Sequence, residues 1–298
     1  MSPVATLPAA FLLALGMGAA LAQDGGADYP TTFFEDGATS ASVTVGDVTA
    51  TIDMVHRPRV DPDFDVPVLT VTVGERKVLE AVGVASGFDF PATEASIAEI
   101  DPNNARPEVY FTSYSGGAHC CAVVIVATQI GNRWHAVEVG AFDGDGRYLH
   151  DVDGDGHAEI VTVDNRFLYE FDCYACSNAP LQIQTVRRGA VVDASAEIQF
   201  LPAHQRWLDG MEADWPEGRD RWSKRGFLAG WVAAKQRVGE GLAAWNELDA
   251  NWNHDADAGE EVCLSGEPFE QCPRRQKAVL KFPDRLKLFL EQNGYPLG

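Results

Sequence analysis

Between about Ser40 and Ser195 the chain alternates apolar and polar residues with a period of two. "SVTVGDVTATIDMV" and "VPVLTVTVGERKVLEAVGV" set β-branched residues against polar ones around turns at Gly46-Asp47 and Gly74-Glu75, the pattern of half-buried strands. "CCAVVIVATQ" is a continuous apolar run, as expected of a strand covered on both faces. "RFLYEFD" alternates again and predicts a strand with Phe167, Tyr169 and Phe171 on one side. No helix is expected before Pro202, only a turn near Ala92–Ile97. Beyond Pro202 the period changes. "AHQRWLDGMEADW" and "GFLAGWVAAKQRVGEGLAAWNEL" carry apolar residues at helical spacing, the second as one long helix. "PDRLKLFLEQNGYP" predicts a last helix, with Pro283 in its first turn and Gly294 ending it. The tryptophans of this region (Trp207, Trp215, Trp222, Trp231, Trp245, Trp252) could form a carbohydrate platform, but helical spacing favours core packing for those in the long helix.

The strand region contains a likeness to itself. "DPNNARPEVYFTSYSG" from Asp101 aligns with "DVDGDGHAEIVTVDNRF" from Asp151, so that Glu108 falls opposite Glu159. A fainter relative, "DPDFDVPVLTVTV", begins at Asp61. A unit of roughly 40–50 residues with several strands has the size of a propeller blade. Two or three such units are too few to close a ring of about four blades or more. The expected fold is therefore mainly β, α+β overall: antiparallel propeller-blade-like β units, open or sandwiched, followed by a C-terminal helical region. If the likeness is coincidental, the β-domain stands without the repeat.

The first 22 residues carry no charged side chain, and "LPAAFLLALGMGAALA" ends in Ala20-Leu21-Ala22 before Gln23. This apolar core is too short to span a membrane and stay there, and it ends in an A-x-A cleavage pattern. The expected organisation is a signal peptide at 1–22, a flexible segment at 23–39, a β-domain at 40–200 and a mainly helical region at 201–298. Export predicts a periplasmic or secreted protein with no membrane insertion after cleavage. The formal charge of −21 argues against nucleic acid and anionic membrane surfaces, both of which would repel the chain. Six cysteines in an exported chain suit disulfides. Cys263 and Cys272 close a compact loop, "CLSGEPFEQC", and are the expected bridge. The pairing of Cys120, Cys121, Cys173 and Cys176 stays open. Strand alternation points Cys120 and Cys121 to opposite faces. A redox motif at Cys173-x-x-Cys176, or a metal site made by these thiols with His119, are lesser alternatives.

The densest candidate chemistry is "DVDGDGHAE". It presents carboxylates at Asp151, Asp153, Asp155 and Glu159, with glycines that let a tight loop converge on one point. Calcium takes six to eight oxygens, which suits such a loop. It is not an EF-hand, because Thr162 stands where a bidentate glutamate would and the flanks read as strands. The loop resembles the calcium hairpins of FG-GAP/VCBS-type repeats, D-x-D-G-D-G-x-x-[DE]. That resemblance implies Asp151, Asp153, Asp155 and Glu159 as side-chain ligands of Ca2+ and His157 as a carbonyl ligand. The Asp101 copy keeps an oxygen at Asn103 but lacks the third carboxylate and both glycines. With "SYSGGAHCC" before the loop and "DNRFLYEF" after it, the wider chain also resembles exported bacterial proteins that carry one such loop. No activity comes with that resemblance.

A second acidic run sets Asp249, Asn251, Asn253, Asp257 and Glu260 on an EF-hand spacing, but His254 occupies the glycine position. It reads as a solvated loop. The chain has no G-x-S-x-G, H-E-x-x-H, P-loop or G-x-G-x-x-G motif. Scattered histidines (His56, His119, His135, His150, His204) form no triad by spacing. The resulting expectation is a non-enzymatic, exported calcium-binding β-domain, an envelope or secreted binding module with a protein or glycan ligand, and no catalytic residue is assigned. The alternative is a secreted hydrolase using Ser113, Ser115 and His119 in the "SYSGGAHCC" turn beside the acidic loop.

Overall fold

The computed structural model describes residues 29–35, 37–87, 92–215 and 220–297. The expected signal peptide, 1–22, and residues 23–28 of the expected flexible segment lie outside the described residues.

Three antiparallel meanders follow one another. The first sheet is β2 (Ser40–Val45), β3 (Val48–His56), β4 (Asp65–Val73) and β5 (Arg76–Val82), paired in chain order. The second contains β6 (Thr93–Ala98), β7 (Glu108–Tyr114), β8 (Cys120–Ile130) and β9 (Arg133–Asp143), with β1 (Thr31–Phe33) added beside β6. The third is β10 (Leu149–His150), β11 (Glu159–Val163), β12 (Leu181–Arg187) and β13 (Ala190–Asp193). The chain is thus mainly β, with antiparallel sheets ahead of a helical C-terminal region and no closed barrel among the described residues. Two local expectations are corrected. Residues 31–33 are not part of a tether, because their backbone pairs with β6 from Thr31↔Ser96 to Phe33↔Glu94. The segment expected as a turn near Ala92–Ile97 is the fully buried strand β6.

Period-two alternation gives the first sheet one apolar face, whereas the second and third sheets are apolar on both, and successive sheets bury these faces against each other. Val48, Ile52 and Leu69 of the first sheet meet Ile97, Val109 and Phe111 of the second. On the opposite face of the second sheet, Tyr110, Val124 and Val126 meet Ile160 and Val186 of the third. β8 therefore contributes to both cores, as its unbroken apolar run requires. The third sheet turns its remaining face, with Val161, Leu181 and Ile183, toward the helices.

Those helices are α1 (Leu201–Asp214), α2 (Arg225–Arg237), α3 (Gly241–Asn251) and α4 (Phe282–Gln292). The expected single long helix is broken. Gly239 takes φ +84°, a left-handed conformation that ends α2 and lets α3 start in a new direction. Trp207 and Trp231 are buried in this core, and Trp245 is partly buried with its indole N–H on the Pro283 carbonyl. "RFLYEFD" is also not a strand. It forms a short 3-10 turn at Asn165–Phe167 and then irregular backbone, with Tyr169 at φ +65°. Phe167 and Phe171 are instead claimed by α4, each packing edge-on against Phe289 at 5.0 and 5.2 Å. Tyr295 donates its hydroxyl to buried Asp164 at 2.9 Å, tying the chain's end to the third sheet.

A strand pair, β14 (Glu260–Cys263) and β15 (Lys277–Leu280), flanks the loop closed by the Cys263–Cys272 disulfide. Cys173 is bridged to Cys176 and Cys120 to Cys121. The expectation that Cys120 and Cys121 point to opposite faces fails, because the peptide bond between them is cis and their sulfurs are joined. With no free cysteine among the described residues, the alternative of a thiolate metal site with His119 is removed.

Candidate functional site

Two loops with the same plan lie at the junction of the second and third sheets. Each leads into a strand whose first residue is a buried glutamate: Glu108 of β7 and Glu159 of β11. The backbone crosses between them, as the Ala158 N–H donates to the Glu99 carbonyl at 2.7 Å. The Asp61 segment does not share this position. It joins β3 and β4 of the first sheet.

In the Asp101 loop, protein groups satisfy the glutamate completely. Glu108 Oε2 accepts the N–H groups of Ile100 and Asp101, both at 2.9 Å. Its Oε1 accepts the Asn104 amide at 2.6 Å and the Thr128 hydroxyl at 2.9 Å. Asp101 accepts the Asn103 backbone and side chain through one oxygen and the Gly189 N–H through the other. Four donors surround one buried carboxylate and take up the lone pairs that a cation would use.

The Asp151 loop keeps the frame and lacks those donors. Asp151 caps the turn, accepting from the N–H groups of Gly154 (2.8 Å), Asp155 (3.1 Å) and Gly156 (3.0 Å). Gly154 and Gly156 sit at φ +79° and +90°, which only glycine adopts without strain. Among the described residues Glu159 accepts a single donor, the Val152 N–H at 3.0 Å. Carboxylate oxygens of Asp151, Asp153 and Glu159 lie within 4.8 Å of one another. Asp155 is not part of that group. It accepts the His157 backbone N–H at 2.7 Å and lies 3.2 Å from the His157 ring nitrogen, which keeps the imidazole outside the cluster. The structure therefore gathers three of the five residues expected as ligands.

Electrostatics register the missing donors. Burial, with repulsion from Asp153, Asp155 and Asp151, pushes the Glu159 carboxyl up to about 8. Asp153 is raised by burial and by Asp155 and Asp151. Tyr29, which the sequence pattern did not single out, is pushed up to about 12 by burial and then by Asp151 and Glu159. Oxygen-only donors, crowded negative charge and one under-bonded buried carboxylate fit a hard divalent cation such as calcium. The Asp249–Glu260 run does not. Asp257 is buried under donors from Arg225, Trp252, Gly259 and Phe282, and Glu260 pairs with Arg225 and Arg285.

The serines expected beside His119 are engaged elsewhere. Ser113 Oγ accepts the Val84 N–H and Ser115 Oγ accepts the Cys121 N–H. His119 instead stacks on Tyr174 at 3.9 Å, holds the Tyr169 hydroxyl at 2.9 Å through Nε2, and turns Nδ1 toward Asp143 Oδ1 at 3.5 Å. These two facing atoms are buried and have no other partner among the described residues. At 3.5 Å the Asp143–His119 contact falls short of a hydrogen bond, so of this cluster only the His119–Tyr169 pair is bonded. No motif announces it, because Asp143 and Tyr169 lie 24 and 50 residues from His119.

Comparison with known proteins gives relatives without an assigned chemistry. Residues 204–294 match the family model described as the sll0997 C-terminal domain. The chain is 36% identical over 260 residues to a protein of Synechocystis named probable thylakoid lumen protein sll0997, spanning 86% of this chain and 76% of that protein. It is 33% identical over 231 residues to the protein y4bJ of Sinorhizobium fredii, spanning 77% of this chain and 37% of that longer protein. No solved structure matches.

Proposed function

The chain belongs to the family of the probable thylakoid lumen protein sll0997, and on that premise we propose that it is an exported, non-enzymatic β-domain protein stiffened by one structural calcium ion. The observation that carries this reading is the contrast between two equivalent glutamates. Glu108 has four donors, whereas Glu159 has one donor and three nearby aspartates. A cation at Asp151, Asp153 and Glu159, with Asp155 swinging in from His157 and the His157 carbonyl completing the shell, would supply what Asn104 and Thr128 supply in the first loop. The relative's name supports an exported, lumenal or periplasm-like compartment, here periplasmic or secreted. Calcium is common outside the cytoplasm, and modules there bind it at about 10⁻⁴ to 10⁻³ M. The protein then acts as a binding module, with the calcium loop holding the second and third sheets in register.

The test is thermal unfolding of the chain from Gln23 in EDTA, then with calcium, magnesium or zinc restored. Calcium at tenfold excess over its dissociation constant should add about 1.4 kcal/mol, a rise of roughly 3–5 °C. Magnesium and zinc should not reproduce it, and Asp153→Ala should abolish it. If chelation changes nothing in the wild type, the loop is an acidic turn. A second reading, hydrolysis, is favoured by the Asp143–His119–Tyr169 cluster alone. Turnover of chromogenic esters that is lost in His119→Ala would support it.

A further inference from the structure

We propose that a cavity in the helical region, formed where the start of α2 faces the end of α3, binds a small neutral saccharide. The cavity measures about 420 Å³ and its walls include Trp222, Arg225, Asn251, Trp252 and Asn253. This volume lies within the range of small-molecule sites, about 300–1,000 Å³. No wall residue belongs to the Asp151 loop, so this site does not rest on the calcium reading.

Both indoles are held in place before any ligand arrives. Trp252 donates its N–H to Asp257 at 2.9 Å and packs against Phe282 at 4.7 Å. Trp222 meets Trp231 edge-on at 6.1 Å. Each ring also carries a guanidinium, Arg221 over Trp222 at 4.7 Å and Arg225 over Trp252 at 5.5 Å. A ligand's C–H groups would meet what these leave of two rings that lose little rotamer freedom on binding.

The charges in the walls decide the class of ligand. Arg225 is the cation of the cavity, and it is already neutralised twice, by Glu260 at 2.5 Å and by Asp257 at 3.2 Å. Asp220 adds a carboxylate to the same walls. An anionic ligand such as a phosphate or sulfate would therefore meet no uncompensated positive charge.

What remains to bind with is polar and neutral, with Asp220 as the exception. Asn251 spends its amide N–H on the Glu247 carbonyl, which leaves its oxygen as an acceptor. Asn253 spends its oxygen on the Ala256 N–H, which leaves its NH2 as a donor. Asp220 accepts the Ser223 hydroxyl through one oxygen, and its other oxygen has no hydrogen-bond donor among the described residues. Donors and acceptors interleaved beside an aromatic wall match a ring with an apolar face and a rim of hydroxyl groups.

The experiment is a titration of the chain from Gln23 with a panel of neutral mono- and disaccharides, run in EDTA and again in calcium. Binding is read by tryptophan fluorescence and by saturation-transfer NMR. At least one neutral sugar should give a saturable signal in both buffers, weakened tenfold or more in Asn253→Ala and in Trp222→Leu. Asn253 is exposed, so its variant tests the site even if Trp222→Leu fails to fold. The proposal is overturned if no sugar gives a saturable signal up to tens of millimolar. It is equally overturned if Asn253→Ala binds as the wild type does, or if a sulfated sugar outcompetes its neutral parent.

Discussion

Glu108 and Glu159 hold the same place in successive sheets and differ in what surrounds them. Replacing Glu159 by Gln keeps the hydrogen-bonding shape and removes the charge. Glu159→Gln should therefore melt a few degrees higher than the wild type in EDTA above pH 8, and calcium should no longer raise its melting temperature. Glu94 gives a separate pH signature. It is buried in β6 and pushed up to about 7, first by burial and then by Asp145, while Arg147 opposes the shift. Its folded value lies above its unfolded value near 4.5, so the folded state binds more protons between the two. Stability is then lost as pH rises from about 4.5 to about 7. Glu94→Gln should gain melting temperature over the wild type at pH 8 and little or none at pH 4.5, a difference that paired melts at the two pH values would read.

At the scale of elements, the loop from β6 to β7 shares the plan of the loop from β10 to β11, with its glutamate satisfied by protein donors. Asn104 is one of them, donating to Glu108 at 2.6 Å. Asn104→Ala should destabilise the protein by about 1–3 kcal/mol, the usual cost of a buried acceptor losing its donor. Added calcium should not recover the loss, because the Asp101 loop lacks the other carboxylates. Denaturant melts of this variant with and without calcium would separate the two loops. The likeness of the loops was readable from Asp101, Asp151 and the aligned glutamates. The full set of donors on Glu108 was not readable, because Thr128 reaches it from β8, 20 residues away. Similarly, "RFLYEFD" alternates like a strand, yet α4 recruits Phe167 and Phe171 into another core. Packing against a helix that comes more than a hundred residues later outweighs the local period.

Across the whole molecule, the helices share a core with the third sheet, where Leu181 and Ile183 meet Leu208, Phe227 and Leu286. A fragment ending at Ser195 would leave that sheet face open to water. It should lose near-UV circular dichroism or aggregate, whereas the full chain should unfold the third sheet and the helices in one transition. An independently folded, monomeric fragment would contradict this. What the sequence determined by itself is whatever depends on neighbours along the chain. Period-two alternation set the strands, the change of period after Pro202 set the helical region, and the glycines and carboxylates from Asp151 to Glu159 set the acidic hairpin. The tertiary structure alone decided what depends on approach across the fold. It broke the long helix at Gly239, stacked the sheets in chain order, brought Asp143 and Tyr169 to His119, and left Glu159 with one donor where Glu108 has four. The reason is physical: a backbone period is local, whereas the satisfaction of a buried charge depends on every group the fold brings within hydrogen-bonding distance.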